Sequence, residues 1–199
     1  MQPPVPTVES HHDLYFRPGN AGFYFRNDNH GVMLTADRIN WTFNGQADGA
    51  PYTNIRAVHL QSGGDMRDAM CICRITFADG YTLVVTDAND HGIADAERKP
   101  VYRDFVHEFH ARLAALPQAS INFSAGYPGF RYPLVIACGV LLGLICVVGP
   151  IAGLIITREI GPLMTLFAGV GLYWPLVKSI EKNAPRSYDP RHPPEELLE

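Results

Sequence analysis

Polar and apolar residues alternate along the first part of the chain. Phe23 and Phe25 alternate with Tyr24 and Arg26, and Ile39, Trp41 and Phe43 with Asn40, Thr42 and Asn44. A period of two predicts half-buried strands with aromatic inner faces. Turn residues at 27–31, Asp37-Arg38 and Asn44-Gly45 separate these runs, and a loop through Asp48, Gly49 and Pro51 leads to a strand over 55–60. Ser62-Gly63-Gly64 with Asp65, Arg67 and Asp68 predicts a flexible, exposed connection. Residues 71–77 and 81–86 are two strand-like runs joined through Ala78-Asp79-Gly80, a hairpin signature. After a loop over 87–100 the period lengthens. Tyr102, Phe105, Val106, Phe109 and Leu113 fall at helical spacing, with Arg103, Glu108 and Arg112 assigned to the solvent face. Pro117 stops that helix, and 120–123 reads as a short last strand before a Gly126–Gly129 turn.

The second part has no such alternation. Pro133 to Thr157 is a run of 25 uncharged residues, enough to cross a hydrocarbon core of roughly 30 Å at about 1.5 Å per residue. Ile160 to Val177 adds 18 more, with Tyr173 and Trp174 where an aromatic belt meets headgroups. Two spans joined at Arg158-Glu159 predict a transmembrane hairpin. The expected organisation is a flexible arm over 1–20, a soluble domain over 21–125, membrane helices over 132–157 and 160–180, and a Pro-rich tail over 181–199.

Composition supports that division. An average of 47% apolar and 18% charged residues resembles an ordinary soluble protein, yet between Tyr132 and Val177 the only charged residues are Arg158 and Glu159. Arg131 precedes the first span, and Lys178, Lys182, Arg186 and Arg191 follow the second. The positive-inside rule puts both ends in the cytoplasm. The first 30 residues hold no apolar run of signal-peptide length, which argues the same way. The expectation is a two-pass protein of the bacterial inner membrane.

Small residues stripe the first span at Gly139, Gly143, Cys146, Pro150 and Gly153, and the second at Gly161, Thr165 and Ala168. Lipid supplies no hydrophobic drive for helix association, so close backbone approach along small faces holds such helices together. The face either packs the two helices on each other or serves self-association or a protein partner. No carboxylate, amine or imidazole lies inside either span, which argues against an ion or proton pathway.

The polar part offers little chemistry. Cys71 and Cys73 share one strand face and read as core residues, with no second pair at zinc-ligand spacing. Asp87, Asn89, His91, Gly92 and Asp95 resemble a calcium loop, but His91 stands where an oxygen ligand belongs and Arg98 where the bidentate Glu belongs, so a solvated turn is expected. His107 with His110, and His59 with Asp65 or Asp68, are candidate pairs. Exposed helix histidines that titrate near neutral pH are the preferred reading of the first. There is no nucleophile elbow or phosphate loop. No catalytic residue, metal or cofactor is expected. Residues 1–130 carry 14 acidic and 10 basic side chains without a polybasic cluster, which disfavours nucleic acid and strong anionic-lipid binding. Tyr188, Leu197 and Leu198 are apolar anchors in the polar tail, the composition of a docking segment or of a disordered one.

The runs Pro51-Tyr52-Thr53-Asn54-Ile55 and Phe77-Ala78-Asp79-Gly80-Tyr81-Thr82-Leu83, with the helix Phe105-Val106-His107-Glu108-Phe109, resemble the bacterial pleckstrin-homology-like domains over Ala21 to Phe123. The resemblance implies an α+β, mainly β fold: a small antiparallel curved sheet or barrel of six or seven strands, capped by one helix and here followed by the hairpin. It implies a non-catalytic binding or scaffold module, with lipid headgroups or peptides as the ligand class. An accessory subunit contacting a larger membrane complex through the hairpin is the alternative.

Overall fold

The computed structural model describes residues 9–18, 30–43, 45–64, 69–89, 91–116, 120–157 and 161–198. They fall in two compact units, one of residues 1–126 with 186–199, the other of residues 127–185. The Phe23–Phe25 strand, Asp65, Asp68, Pro117 and the Arg158-Glu159 tip lie outside the described residues.

The first unit is α+β. Its described strands are β1 (Ser10–Pro18), β2 (His30–Leu34), β3 (Arg38–Phe43), β4 (Gln46–Pro51), β5 (Ile55–Gly64), β6 (Ala69–Phe77), β7 (Thr82–Thr86), β8 (Asn122–Ala125) and β9 (Arg186–Ser187). They form one sheet in the order β4-β3-β2-β1-β7-β6-β5-β8-β9. Every neighbouring pair is antiparallel except β5 and β8. β8 follows the helix α1 (Arg98–Ala114), which supplies the crossover that a parallel pairing needs. The expected β6–β7 hairpin forms with Gly80 at φ 84°, a left-handed turn position suited to glycine.

The alternation in β6 puts Cys71, Cys73, Ile75 and Phe77 in the core and leaves Ile72, Arg74 and Thr76 half-buried. α1 delivers Tyr102, Phe105, Val106, Phe109 and Leu113 to the same core. Phe105 and Phe109 stack with centroids 5.5 Å apart, and Tyr52 meets Phe109 edge-on at 6.1 Å. Each such side chain contributes roughly 1.5–3 kcal/mol through burial, which holds the helix on the sheet.

Four expectations are corrected. Residues 10–18 are not an arm: β1 lies between β2 and β7, with Leu14 and Phe16 buried. Pro18 ends the strand, and Pro-rich composition before it masked the Leu14/Phe16 alternation. Ser62-Gly63-Gly64 is not a flexible link, because β5 runs through Gly64 paired with β6. Arg112 is not on the solvent face of α1. It is buried and donates to Glu108 and to the Thr35 carbonyl oxygen, clasping the β2–β3 turn to the helix. The sheet is mixed and not wholly antiparallel, because β8 pairs with β5 in parallel, and among the described residues it is open, with edges at β4 and β9.

The second unit contains α2 (Arg131–Thr157) and α3 (Gly161–Lys182). Contacts of residue 139 with Ile180, 143 with Tyr173 and Cys146 with 169 run in opposite directions along the two helices, so they pack antiparallel. The Tyr127 amide donates to the Asn183 carbonyl at 2.8 Å across the open end of this pair. Among the described residues one helix, Arg131–Ile156 of α2, is long and apolar enough to cross a membrane, where two were expected. α3 contains several Gly and Pro residues and ends with Lys178, Glu181 and Lys182, which dilutes its apolar character.

Candidate functional site

The tail docks on its own chain. Residues 186–187 form β9, pairing Ser124 with Ser187 and Ala125 with Arg186, and the Tyr188 amide donates to the Phe123 carbonyl at 3.3 Å. Tyr188 packs against Phe123 and His110 with ring centroids 5.7 Å and 5.6 Å away. Leu197 and Leu198 are 1% exposed and join the core. A fully disordered tail is thereby excluded for 186–198.

The polar contacts of Tyr188 follow from one buried ring. His110 Nδ1 lies 2.7 Å from the Val106 carbonyl, one turn earlier on α1, and Nε2 lies 2.8 Å from the Tyr188 hydroxyl. A carbonyl oxygen only accepts, so Nδ1 carries the proton and Nε2 accepts from the Tyr188 O–H. Burial lowers the His110 pKa to about 4, against the opposing effect of the Val106 carbonyl, and raises that of Tyr188. The expected exposed histidine pair is thus corrected for His110, which faces the core as the next position after Phe109. His107 stays half-exposed and meets Glu195 at 3.2 Å, while Arg186 pairs with Glu196. Phe123, Glu195 and Glu196 were not among the candidate residues, whereas His110 was, paired with His107 and expected to be exposed. The signal for His110 was its place three residues after His107 and one turn after Val106, beside the apolar stripe.

A second polar cluster joins β1 to α1. Ser10 Oγ donates to Glu108 Oε1 at 2.7 Å, and His12 Nε2 lies 3.1 Å from Glu108 Oε2. Serine, histidine and carboxylate meet here, but both other groups turn to Glu108, so the histidine is not set to take the serine proton as a nucleophilic triad requires. Burial of Glu108 opposes ionisation, yet hydrogen bonds from Arg112, Ser10 and His12 hold its pKa below the usual value. Burial lowers that of His12. The geometry is that of a structural clasp.

The calcium-like loop is also turned inward. Asn89 Oδ1 accepts from His91 and Ile93 amides at 3.0 Å and 3.1 Å, and Asp95 Oδ1 from Glu97 at 3.0 Å. Asp87 is not solvated as expected. It is fully buried, Oδ1 accepts from the Cys71 amide at 2.8 Å, and burial pushes its pKa up to about 6. His59 Nδ1 lies 2.9 Å from Ser124 Oγ across the β5–β8 pair. Among the described residues no group of three or more His, Cys, Asp or Glu side chains could hold a metal ion.

On the helix pair, the small face of α2 meets α3 of the same chain. A Cβ at Gly139 would lie 3.2 Å from Ile180 Cδ1, and one at Gly143 would lie 3.1 Å from the Tyr173 ring. Cys146 packs against Gly169, a position the sequence reading missed because it lies one residue beyond Ala168. The side chains of Gly161, Thr165 and Ala168 lie outside the described residues. Gly149 and Gly171 face open space. A cavity of about 350 Å³ lined by Val140, Gly143, Val147, Gly169 and Tyr173 lies on this pair. No family model matches the chain, and no curated protein matches it.

Proposed function

We propose that this protein is a non-catalytic, membrane-tethered binding or scaffold module: a pleckstrin-homology-like sheet domain carried on a transmembrane helix hairpin. The observation that carries the membrane reading is α2, whose large apolar residues between Leu134 and Ile156 are exposed on every side but the small-residue face that meets α3. Contiguous apolar surface of that extent belongs in an apolar solvent. The return path supports two crossings. The chain leaves the sheet after Ala125 and comes back at Arg186, its partner in the next strand. A chain that crosses outward through α2 therefore needs α3 to bring it back. The flanking Arg131, Lys178 and Lys182 favour the cytoplasmic side of a bacterial inner membrane for both ends. Two meanders, β1 to β4 and β5 to β7, joined by the β1–β7 pair and followed by a helix, support the pleckstrin-homology-like reading.

Expressed in a bacterial host, the full chain is expected to stay in the membrane pellet after an alkaline carbonate wash. Release into the wash refutes the tether.

A second reading is favoured by the open space at Gly149 and Gly171 and by the cavity beside Gly143: the helix pair docks a partner helix, making the protein an accessory subunit. Gly149→Ile and Gly171→Ile leave the α2–α3 packing alone. Loss of co-purifying membrane partners in mild detergent from these variants supports the subunit, and unchanged partners refute it.

A further inference from the structure

We propose that the surface formed by the β8 edge and the His110 face of α1 is a peptide-binding site, occupied in cis by the chain's own residues 186–198, and that an extended segment of a partner protein displaces them. The partner segment carries a tyrosine followed nine and ten positions later by paired leucines. This inference deepens the binding-module reading and rests on it, while standing independent of the membrane.

Residues 186–198 sit on the sheet as a ligand sits. The segment has little regular structure of its own, a two-residue strand and one 3₁₀ turn over Glu195–Leu197. Backbone pairing along β8 supplies sequence-independent affinity, as in strand addition. Two anchors supply specificity. Tyr188 is the first, because a phenolic O–H satisfies a buried imidazole nitrogen that phenylalanine leaves without a donor. The Leu197-Leu198 pair, beside β5, is the second. The rim pairs His107–Glu195 and Arg186–Glu196 add orientation at exposed positions, where each contributes little affinity. Between the anchors, residues 189–194 bond within themselves, the His192 amide to the Asp189 carbonyl and the Arg191 amide to Asp189 Oδ1. Anchors at two ends of a self-contained loop are the pattern of a linear motif. The tether through α3 gives it a local concentration on the order of millimolar, so a free peptide competes only when it binds well or when the tether is cut.

The test uses the full-length protein in detergent with a protease recognition sequence inserted between Ala184 and Pro185, and a fluorescent synthetic peptide of residues 186–198 as the probe. After cleavage and dilution, polarisation is expected to show the peptide bound at a half-saturating concentration at least tenfold lower than before cleavage. A Tyr188→Phe peptide is expected to bind roughly 3- to 10-fold more weakly. Failure of the cleaved protein to exchange its segment, equal binding before and after cleavage, or cooperative loss of the sheet's near-ultraviolet circular dichroism on dilution overturns the proposal, the last because it makes the segment a permanent part of the fold. A protein that exchanges peptide but fails to stay with membranes refutes the tether alone.

Discussion

Helices α1 and α2 handle apolar side chains in opposite ways. α1 gathers Tyr102, Phe105, Val106, Phe109 and Leu113 on one face, and all are buried against the sheet. α2 carries apolar residues all round, and Leu144, Ile145 and Ile155 remain 55%, 60% and 71% exposed. An amphipathic helix finds its apolar partner inside the protein, whereas an all-round apolar helix needs one outside it. The same substitution should therefore have different consequences in the two helices, and that difference tests the proposal that water solvates one unit and lipid the other.

The largest effect is expected at Phe109. Phe109→Ala removes a ring that stacks on Phe105 and meets Tyr52 edge-on and should cost the sheet unit about 3–5 kcal/mol in chemical denaturation, while Ile145→Ala should leave that transition within about 0.5 kcal/mol. Reversed sensitivities would break the comparison. The next effect runs the other way. Ile145→Arg is expected to oppose membrane insertion by about 2.5–3.5 kcal/mol, read as the fraction recovered in the carbonate-resistant pellet. An unchanged fraction would place α2 outside the bilayer.

A smaller effect separates packing inside the hairpin from its outer face. Gly143→Ile drives a side chain into the Tyr173 ring and should cost about 1–3 kcal/mol of α2–α3 association, seen as a lowered melting temperature in detergent. Gly149→Ile, with open space around it, should cost nothing measurable there. Equal effects would mean that a partner already covers Gly149.

Two buried groups give the sheet unit opposed pH dependences. Burial raises the Asp87 pKa from 3.8 to about 6. Its contribution favours the folded state at low pH and is lost as pH rises through 6. Burial lowers the His110 pKa from 6.5 to about 4. The unfolded state then binds the extra proton, so that contribution is present above 6.5 and lost as pH falls toward 4. The two slopes offset one another between about pH 4 and 6. Asp87→Asn removes one of them, so its stability should fall as pH is lowered from 6.5 to 4, by at least about 1 kcal/mol in urea titrations. A flat profile would mean that His110 is not held neutral by burial.

The parts of the fold that were legible in the sequence are those with local signals. β3, the β6–β7 hairpin and α1 each show their period within about ten residues. The parts that were not legible depend on partners distant in sequence. β1 looked like an arm because its nearest signals are prolines, and its place between β2 and β7 is set by β7, some 70 residues later. The tail looked polar because its anchors are three residues among thirteen, and what they dock on is β8 and α1. Arg112 and His110 read as surface groups by type, yet each is buried because a partner elsewhere satisfies it: Thr35 and Ser10 for Arg112, Tyr188 for His110. Tyr188, Leu197 and Leu198 were found as candidates, but their receptor was not.

The proposed crossing out and back rests on the pairing of Ala125 with Arg186, which places the strand before the helix pair beside the strand after it. Single cysteines at Glu159 and at Arg191, each in a background with Cys71, Cys73, Cys138 and Cys146 replaced, test this directly in intact bacterial cells treated with a membrane-impermeant maleimide. Labelling at 159 with protection at 191 is the expected result; protection at 159 with labelling at 191, or labelling of both, would contradict a hairpin anchored from the cytoplasmic side.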